Sequence, residues 1–234
     1  MKILDHSFNS PEENLACDEA LLDESEETDG AESLRFWSSN RYFAVLGYSN
    51  AWKEELRGRG LVPAFRRCSG GGTVLQGPGC LNYSLILKIR AGGPLEGIRS
   101  TNTHVMEKQR QALSGLLGTR VFVQGHTDLT LDGLKFSGNS QRRKKRRLLF
   151  HGTFLLNFDL ACIERWLKMP PKQPAYREGR AHAAFLCNLK LEEDKVKQAL
   201  KKAWEAQGTL SAPVERTQRL VKERYSQESW NFKF

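Results

Sequence analysis

A helical pattern opens the chain at Ser10-Pro11-Glu12-Glu13, where a capping serine, a first-turn proline and two acids against the helix dipole predict a helix start. Leu15, Ala16, Cys17, Ala20 and Leu21 continue it at helical spacing as far as Leu22. The pattern then changes to that of strands. Leu34 to Trp37 and Tyr42 to Gly47 are expected to be adjacent strands joined by a polar turn containing Asn40. Val62 to Arg66 predicts a short strand feeding a glycine run, and Tyr83 to Ile89 another, with Leu85 and Leu87 on one face.

Ser100 to Leu117 returns to helical spacing, with Val105, Ala112 and Leu116 roughly stacked. Val121 to Val123, Leu129 to Leu131, Leu134 to Gly138 and Leu148 to Leu156 are short strands separated by turn residues. Ala161 to Lys168 is a short helix that stops before Pro170-Pro171. In Glu193 to Glu205, Val196, Leu200 and Trp204 recur every fourth residue, an amphipathic helix, and a last helix covers Glu215 to Tyr225. Strands crowd the first two-thirds and helices the last third, without regular alternation. The expected class is therefore α+β, a mixed β-sheet flanked by helices. With no internal repeat and no linker, residues 1–234 are expected to form one domain.

Composition narrows the class further. With 39% hydrophobic and 27% charged residues, the chain is neither disordered nor fibrous. The longest uncharged stretch, Cys68 to Leu87, carries Gly70, Gly71, Gly72, Gly77, Pro78 and Gly79, and could not cross lipid as a satisfied helix. The N-terminus lacks the apolar core of a signal peptide, so no membrane association and a cytoplasmic location are expected. Five cysteines without C-x-x-C spacing predict free thiols, with neither a disulfide framework nor a metal site. The formal charge of +9 owes much to one basic run, Arg142 to Arg147.

Four segments could carry chemistry. In Arg66-Arg67-Cys68-Ser69-Gly70-Gly71-Gly72, three glycines let backbone approach a bound group and offer N–H donors to an anion, although P-loop spacing is missing. A flexible turn is the alternative; the two arginines and the following Asn82-Tyr83-Ser84 strand favour a ligand loop. In the second, Asp132-Gly133 predicts a hairpin whose returning strand places Lys135, Ser137 and Asn139 on one face and Phe136 on the other. A solvated Lys135 is the ordinary case; facing the glycine loop, it would stabilise a carboxylate or phosphate.

The basic run has no interleaved aromatics to stack bases, so a nucleic-acid partner is not expected. It predicts a mostly solvated hairpin tip, with Arg142 nearest the sheet and reaching inward. Lys172 to His182 is too irregular for helix or strand and rich in anion-gripping side chains. A loop closing over a nucleotide and an ordinary surface connection both fit it.

Together these segments resemble the lipoate–protein ligase A catalytic domain, within the biotin/lipoate ligase and octanoyltransferase family. The resemblance runs through Asn14-Leu15-Ala16 with Asp18-Glu19, Ala44 to Gly47 with Trp52-Lys53-Glu54, and the Arg66 to Gly72 loop. It continues through Asn82-Tyr83-Ser84, Asp128-Leu129, Lys135-x-Ser137-Gly138, Gln141-Arg142 and His151-Gly152-Thr153, and ends at Trp230-Asn231-Phe232. The resemblance implies a fold related to class II aminoacyl-tRNA synthetase cores. It also implies an enzyme that uses ATP and Mg2+ to convert lipoate or octanoate to an acyl-adenylate, then acylates a lysine of a lipoyl-domain or glycine-cleavage-H-like acceptor.

By the same resemblance, Lys135 contacts the acyl carbonyl and phosphate, while Ser69, Gly70, Gly71 and Gly72 line the acyl chain and phosphate, with Arg67 nearby. Asn82, Asp128, Ser137, Gly138, Arg142, His151, Gly152 and Thr153 match positions around the adenylate, and Tyr176 to His182, with Arg180, matches its binding loop.

Two departures stand out. No C-terminal accessory domain is expected here, which leaves two alternatives: a separate accessory polypeptide, or transfer alone from a preformed adenylate. Transferases of the family use a cysteine nucleophile, usually upstream of the lysine strand in the most similar branch, yet Leu81 to Ala161 contains none. A ligase route through an adenylate is expected, with an acyl transferase between carrier proteins as the alternative.

Overall fold

Ten strands pair into two sheets in the computed structural model, which describes all 234 residues. The larger sheet runs β1 (Lys2–Asp5), β2 (Ser33–Trp37), β6 (Cys80–Lys88), β10 (Arg147–Leu155), β9 (Leu134–Arg143), β8 (Asp128–Leu131), β7 (Phe122–Gln124). The smaller places β3 (Phe43–Leu46) between β4 (Ala64–Arg66) and β5 (Val74–Gln76). In the larger sheet β1 and β2 are parallel and the other pairs antiparallel, so the sheet is mixed, as expected.

Helix α1 (Pro11–Thr28) starts at the predicted serine: Ser10 Oγ accepts the Glu13 N–H, and the Glu13 carboxylate accepts the Ser10 N–H, closing a capping box. Leu21 and Leu22 of α1 pack with Ile86 and Leu149 of the large sheet. The helices Ile98–Leu117 and Glu193–Ala203 bring Val105, Leu113, Val196 and Leu200 into the main core with Leu85, Phe136, Phe150 and Phe154. Helices thus flank the sheet. No helix is long and apolar enough to cross a membrane.

Two expectations are corrected. Leu34 to Trp37 and Tyr42 to Gly47 are not neighbours: β2 lies between β1 and β6, whereas β3 centres the second sheet. Every residue of both strands is buried, so no solvent-facing side distinguishes which strand each pairs with. In the basic run Arg142, Lys145 and Arg146 are exposed, but the inward residue is not Arg142 and three of the charges have acidic partners. Helix α1 continues beyond Leu22 and brings an acidic end beneath it: Lys144 pairs with Asp23 at 2.5 Å, Arg146 with Glu26, and Arg147 with Asp29 at 2.7 Å. The inward residue is Arg147, 2% exposed, which also donates to the Gly30 carbonyl at 2.6 Å. Arg142 is exposed, its guanidinium 5.7 Å from the Tyr48 ring centroid.

Arg147→Ala is therefore expected to cost about 1–3 kcal/mol, because it removes a buried, packed stem and leaves the part-buried Gly30 carbonyl without its donor. Changing exposed Lys145 to alanine should stay within about 0.5 kcal/mol. Urea unfolding of the two variants checks the contrast; equal stabilities would return the whole run to the solvent.

Candidate active site

The glycine loop owes its shape to the two arginines before it. Arg67 is buried and donates Nη2 to the carbonyls of Gly70 (2.6 Å) and Gly72 (2.8 Å), Nη1 to Val45 (3.2 Å) and Nε to Ser69 Oγ (3.0 Å). Burial pulls its pKa down to about 10, still charged at neutral pH. Arg66, fully buried, donates to the carbonyls of Gly47, Tyr48, Asn50, Trp230 and Asn231. Gly71 has φ +88°, and its carbonyl lies so close to Gly47 that a Cβ on Gly47 would sit 2.0 Å from it. Glycine is required at both positions.

Carbonyls turned toward Arg67 leave the bend exposed at Gly71 and Gly72, which border a cavity of about 550 Å³. Both sheets line it. Its apolar lining comes from two clusters, Trp37, Val45 and Val74 in one and Leu75, Leu155, Ile163 and Leu167 in the other, with Phe185. The polar part holds Asp128, Lys135, Asn139, His151 and His182. Apolar lining with few placed polar groups, at this volume, is usual for a small-molecule site.

Lys135 reaches the cavity by a route the alternation rule misses. Asp132 (φ +50°) and Gly133 (φ +76°) make the predicted two-residue hairpin turn. Between Lys135 and Ser137, however, β9 has one residue more than β8, a bulge opposite Leu129 and Thr130. The bulge shifts the side chains. Phe136 enters the core, Ser137 and Asn139 stay linked at 3.3 Å, and Lys135 lies across Gly138, where a Cβ would sit 2.9 Å from its Nζ. Lys135 Nζ pairs with Asp128 Oδ1 at 2.8 Å, and Tyr176 donates to Oδ2 of the same carboxylate at 2.7 Å. Burial, then the adjacent Asp128 charge, pushes the Tyr176 phenol well above its ordinary pKa, so it remains a donor.

A closed triangle joins the two sheets at the cavity wall: Gln76 Nε2 donates to Thr153 Oγ1 (2.6 Å), Thr153 to Asn82 Oδ1 (2.6 Å), and Asn82 Nδ2 to Gln76 Oε1 (3.0 Å). Beside it His151 Nε2 is 2.6 Å from Ser69 Oγ, and its Nδ1 is 3.4 Å from Asp18 Oδ2. Asp18 Oδ1 meets Arg35 at 2.6 Å. Burial would raise the Asp18 carboxyl, but Arg35 and His151 outweigh it and hold it below the usual carboxylate range.

The irregular Lys172 to His182 segment lies against the lysine hairpin. Arg180 donates to the Tyr176 carbonyl (2.7 Å) and toward that of Gly133 (3.4 Å), and the Cys187 N–H donates to the Lys135 carbonyl (3.0 Å). Arg177 approaches His182 Nδ1 at 3.3 Å; burial first, then that guanidinium, lowers the His182 pKa.

Of the residues expected at the site, Arg67, Gly71, Gly72, Asn82, Asp128, Lys135, Ser137, Gly138, His151, Gly152, Thr153 and His182 line the cavity. Ser69 and Gly70 stand behind it, bonded to Arg67. Arg142 and Arg180 lie outside its lining, so the expected inward reach of Arg142 is not seen. Sequence reasoning gave no site role to Asp18, Trp37, Glu55 or Gln76, all of which line it, while Arg177 lines it from within the expected Tyr176 to His182 loop. Asp18 alone carried a signal, an acid on the apolar side of α1, one turn after Asn14.

None of the five cysteines lines the cavity. Burial pushes the Cys17 thiol up to about 11, Cys80 up to about 12, and Cys68 higher still, the opposite of an activated nucleophile.

A family model described as the lipoyl protein ligase A/B catalytic domain matches residues 10–207. The "Probable lipoate-protein ligase A" of Mycoplasma genitalium is 32% identical over 187 residues, 78% of this chain and 54% of that protein; the chain spans about half its length. The octanoyltransferase LipM of Geobacillus kaustophilus is 26% identical, with 99% of this chain and 98% of that protein covered. A solved lipoate-protein ligase A bound with ATP superposes with a TM-score of 0.82 at 22% identity, covering 99% of this chain and 98% of that one, a likeness of fold.

Proposed function

The chain belongs to the lipoyl protein ligase A/B catalytic-domain family, and from that membership we propose that it is an ATP-dependent lipoate–protein ligase. It joins lipoate or octanoate to AMP and passes the acyl group to a lysine of a lipoyl-domain or glycine-cleavage-H-like acceptor. The observation that carries this reading is a single cavity holding an apolar part, the Gly71–Gly72 bend and the Lys135 ammonium, with no thiol at its wall.

Each part matches a need of the reaction. A C8 chain gains about 0.8 kcal/mol per buried methylene, and the apolar part can supply that burial. In the first step a carboxylate oxygen attacks the α-phosphorus of ATP and pyrophosphate leaves. In the second, the acceptor amine attacks the acyl carbonyl, the amide bond forms, AMP departs and the amine loses its proton. Negative charge builds on carbonyl and phosphate oxygens in both steps. Lys135 and backbone N–H groups at Gly71 and Gly72 are donors fixed in advance for that charge. Mg2+ would enter with the nucleotide phosphates, its usual mode of binding; the chain has no group of three or more His, Cys, Asp or Glu side chains arranged for a metal.

The alternative, acyl transfer between carrier proteins, is favoured by the end-to-end match with the octanoyltransferase. Pyrophosphate exchange separates the two. Exchange dependent on lipoate and ATP, with acyl mass added to a lipoyl-domain acceptor, is expected. Its absence, with and without a candidate accessory subunit, together with acyl movement from a preloaded carrier, would transfer the assignment to the alternative.

A further inference from the structure

We propose that Asp18 is a positioning residue of this site, acting through His151 on the glycine loop. The inference follows from the directions the protons must take. An ionised carboxylate only accepts, so Asp18 Oδ2 facing His151 requires the proton on Nδ1. A neutral ring then has a bare lone pair on Nε2, and the Ser69 hydroxyl 2.6 Å away must donate to it. Ser69 Oγ accepts in turn from Arg67 Nε at 3.0 Å. At the other end Arg35 Nη1 donates to Asp18 Oδ1 at 2.6 Å, and its position is fixed by further bonds to the carbonyl and side-chain oxygen of Asn14, each 2.8 Å. For a neutral ring, one set of proton positions satisfies the whole chain of contacts.

That chain links four separate pieces: Arg35 on β2, Asp18 on α1, His151 on β10 and Ser69 in the glycine loop. Arg35 is fully buried, and Asp18, at the cavity wall, is 2% exposed, with both carboxylate oxygens turned to protein partners. His151 reaches the cavity wall. The 3.4 Å spacing to Asp18 is long, as such contacts often are before substrate binds. The consequence is positional: the exposed amides of Gly71 and Gly72 are registered against β10 through Ser69 and His151, and Asp18 decides which ring nitrogen bears the proton that makes this possible. This role deepens the acyl-adenylate reading and rests on it for its rate effect.

The test uses the full chain labelled with 15N-histidine, at a pH where the ring is neutral, with the His151 signals assigned by their loss in His151→Gln. In the wild type, Nδ1 is expected to be the protonated nitrogen and Nε2 the bare one. In Asp18→Asn the single amide oxygen is retained by Arg35, the NH2 faces the ring, and the tautomer reverses. With it kcat/KM for acyl transfer should fall about 10–100-fold, the scale of a small misplacement in a reacting site. A wild-type ring protonated on Nε2, an unchanged ring pattern in Asp18→Asn, or a reversed ring with undiminished kcat/KM would each overturn the proposal.

Should Asp18→Asn not fold, Ser69→Ala leaves the Asp18–Arg35 pair untouched. It should keep the Nδ1–H tautomer yet lower kcat/KM about tenfold or more, and an unchanged rate would again overturn the proposal. A wild type without pyrophosphate exchange or acyl transfer counts instead against the ligase reading, while its ring spectrum still judges Asp18.

Discussion

Replacing Lys135 with alanine is expected to slow acyl transfer by about 10²–10³-fold and to shift stability by no more than about 1 kcal/mol. The rate loss follows from placement. Lys135 is the cation fixed across Gly138 and bordering the cavity, and its Asp128 partner is itself held by Tyr176. Donors set in place before charge develops lose nothing to reorganisation in the transition state, which is why removing one costs so much. The small stability change follows from exposure: the Lys135 side chain is a quarter exposed, and its ion pair is partly screened by water. Single-turnover transfer from preformed lipoyl-adenylate to a lipoyl-domain acceptor measures the first effect, and thermal unfolding the second. Near-normal turnover would remove Lys135 from the reaction. Loss of fold along with rate would make it structural.

The route by which Lys135 reaches the cavity marks how far the residue pattern can be read. The hairpin was legible because Asp-Gly permits positive φ at both turn positions, a local property of two residues. How the side chain lies along the strand was not, because it depends on a bulge set by the pairing of β9 with β8, although Lys135, Ser137 and Asn139 all border the cavity. The glycine loop was legible for the same local reason as the turn, yet the arginines before it read as ligand-seeking cations. Arg67 turns instead to its own loop, at Ser69, Gly70 and Gly72, and to Val45, and the acceptors of Arg66 are carbonyls as distant as Asn231. The partners of the basic run were hidden likewise: Asp23, Glu26 and Asp29 stand more than a hundred residues upstream. Charge is legible locally; whether it is neutralised is a property of the fold.

The most destabilising single change foreseen is at the other arginine of the pair. Arg66→Ala is expected to cost about 3 kcal/mol or more, because five backbone carbonyls lose their donor and two of them, of Gly47 and Asn231, are buried. Those carbonyls belong to two distant segments, residues 47–50 and 230–231, so the guanidinium is the link that closes the C-terminal Trp230-Asn231 turn onto the Gly47 bend. Arg66→Lys should recover little, since one ammonium presents three donors from a single point and cannot span both segments. Because Gly71 rests on Gly47, the same loss should loosen the loop that borders the cavity. The expected result is a lower urea midpoint together with a raised KM for the acyl substrate in whatever fraction remains folded. An Arg66→Ala protein with wild-type midpoint and KM would mean that the tail and the bend hold together without the arginine, and that the loop's shape comes from Arg67 alone.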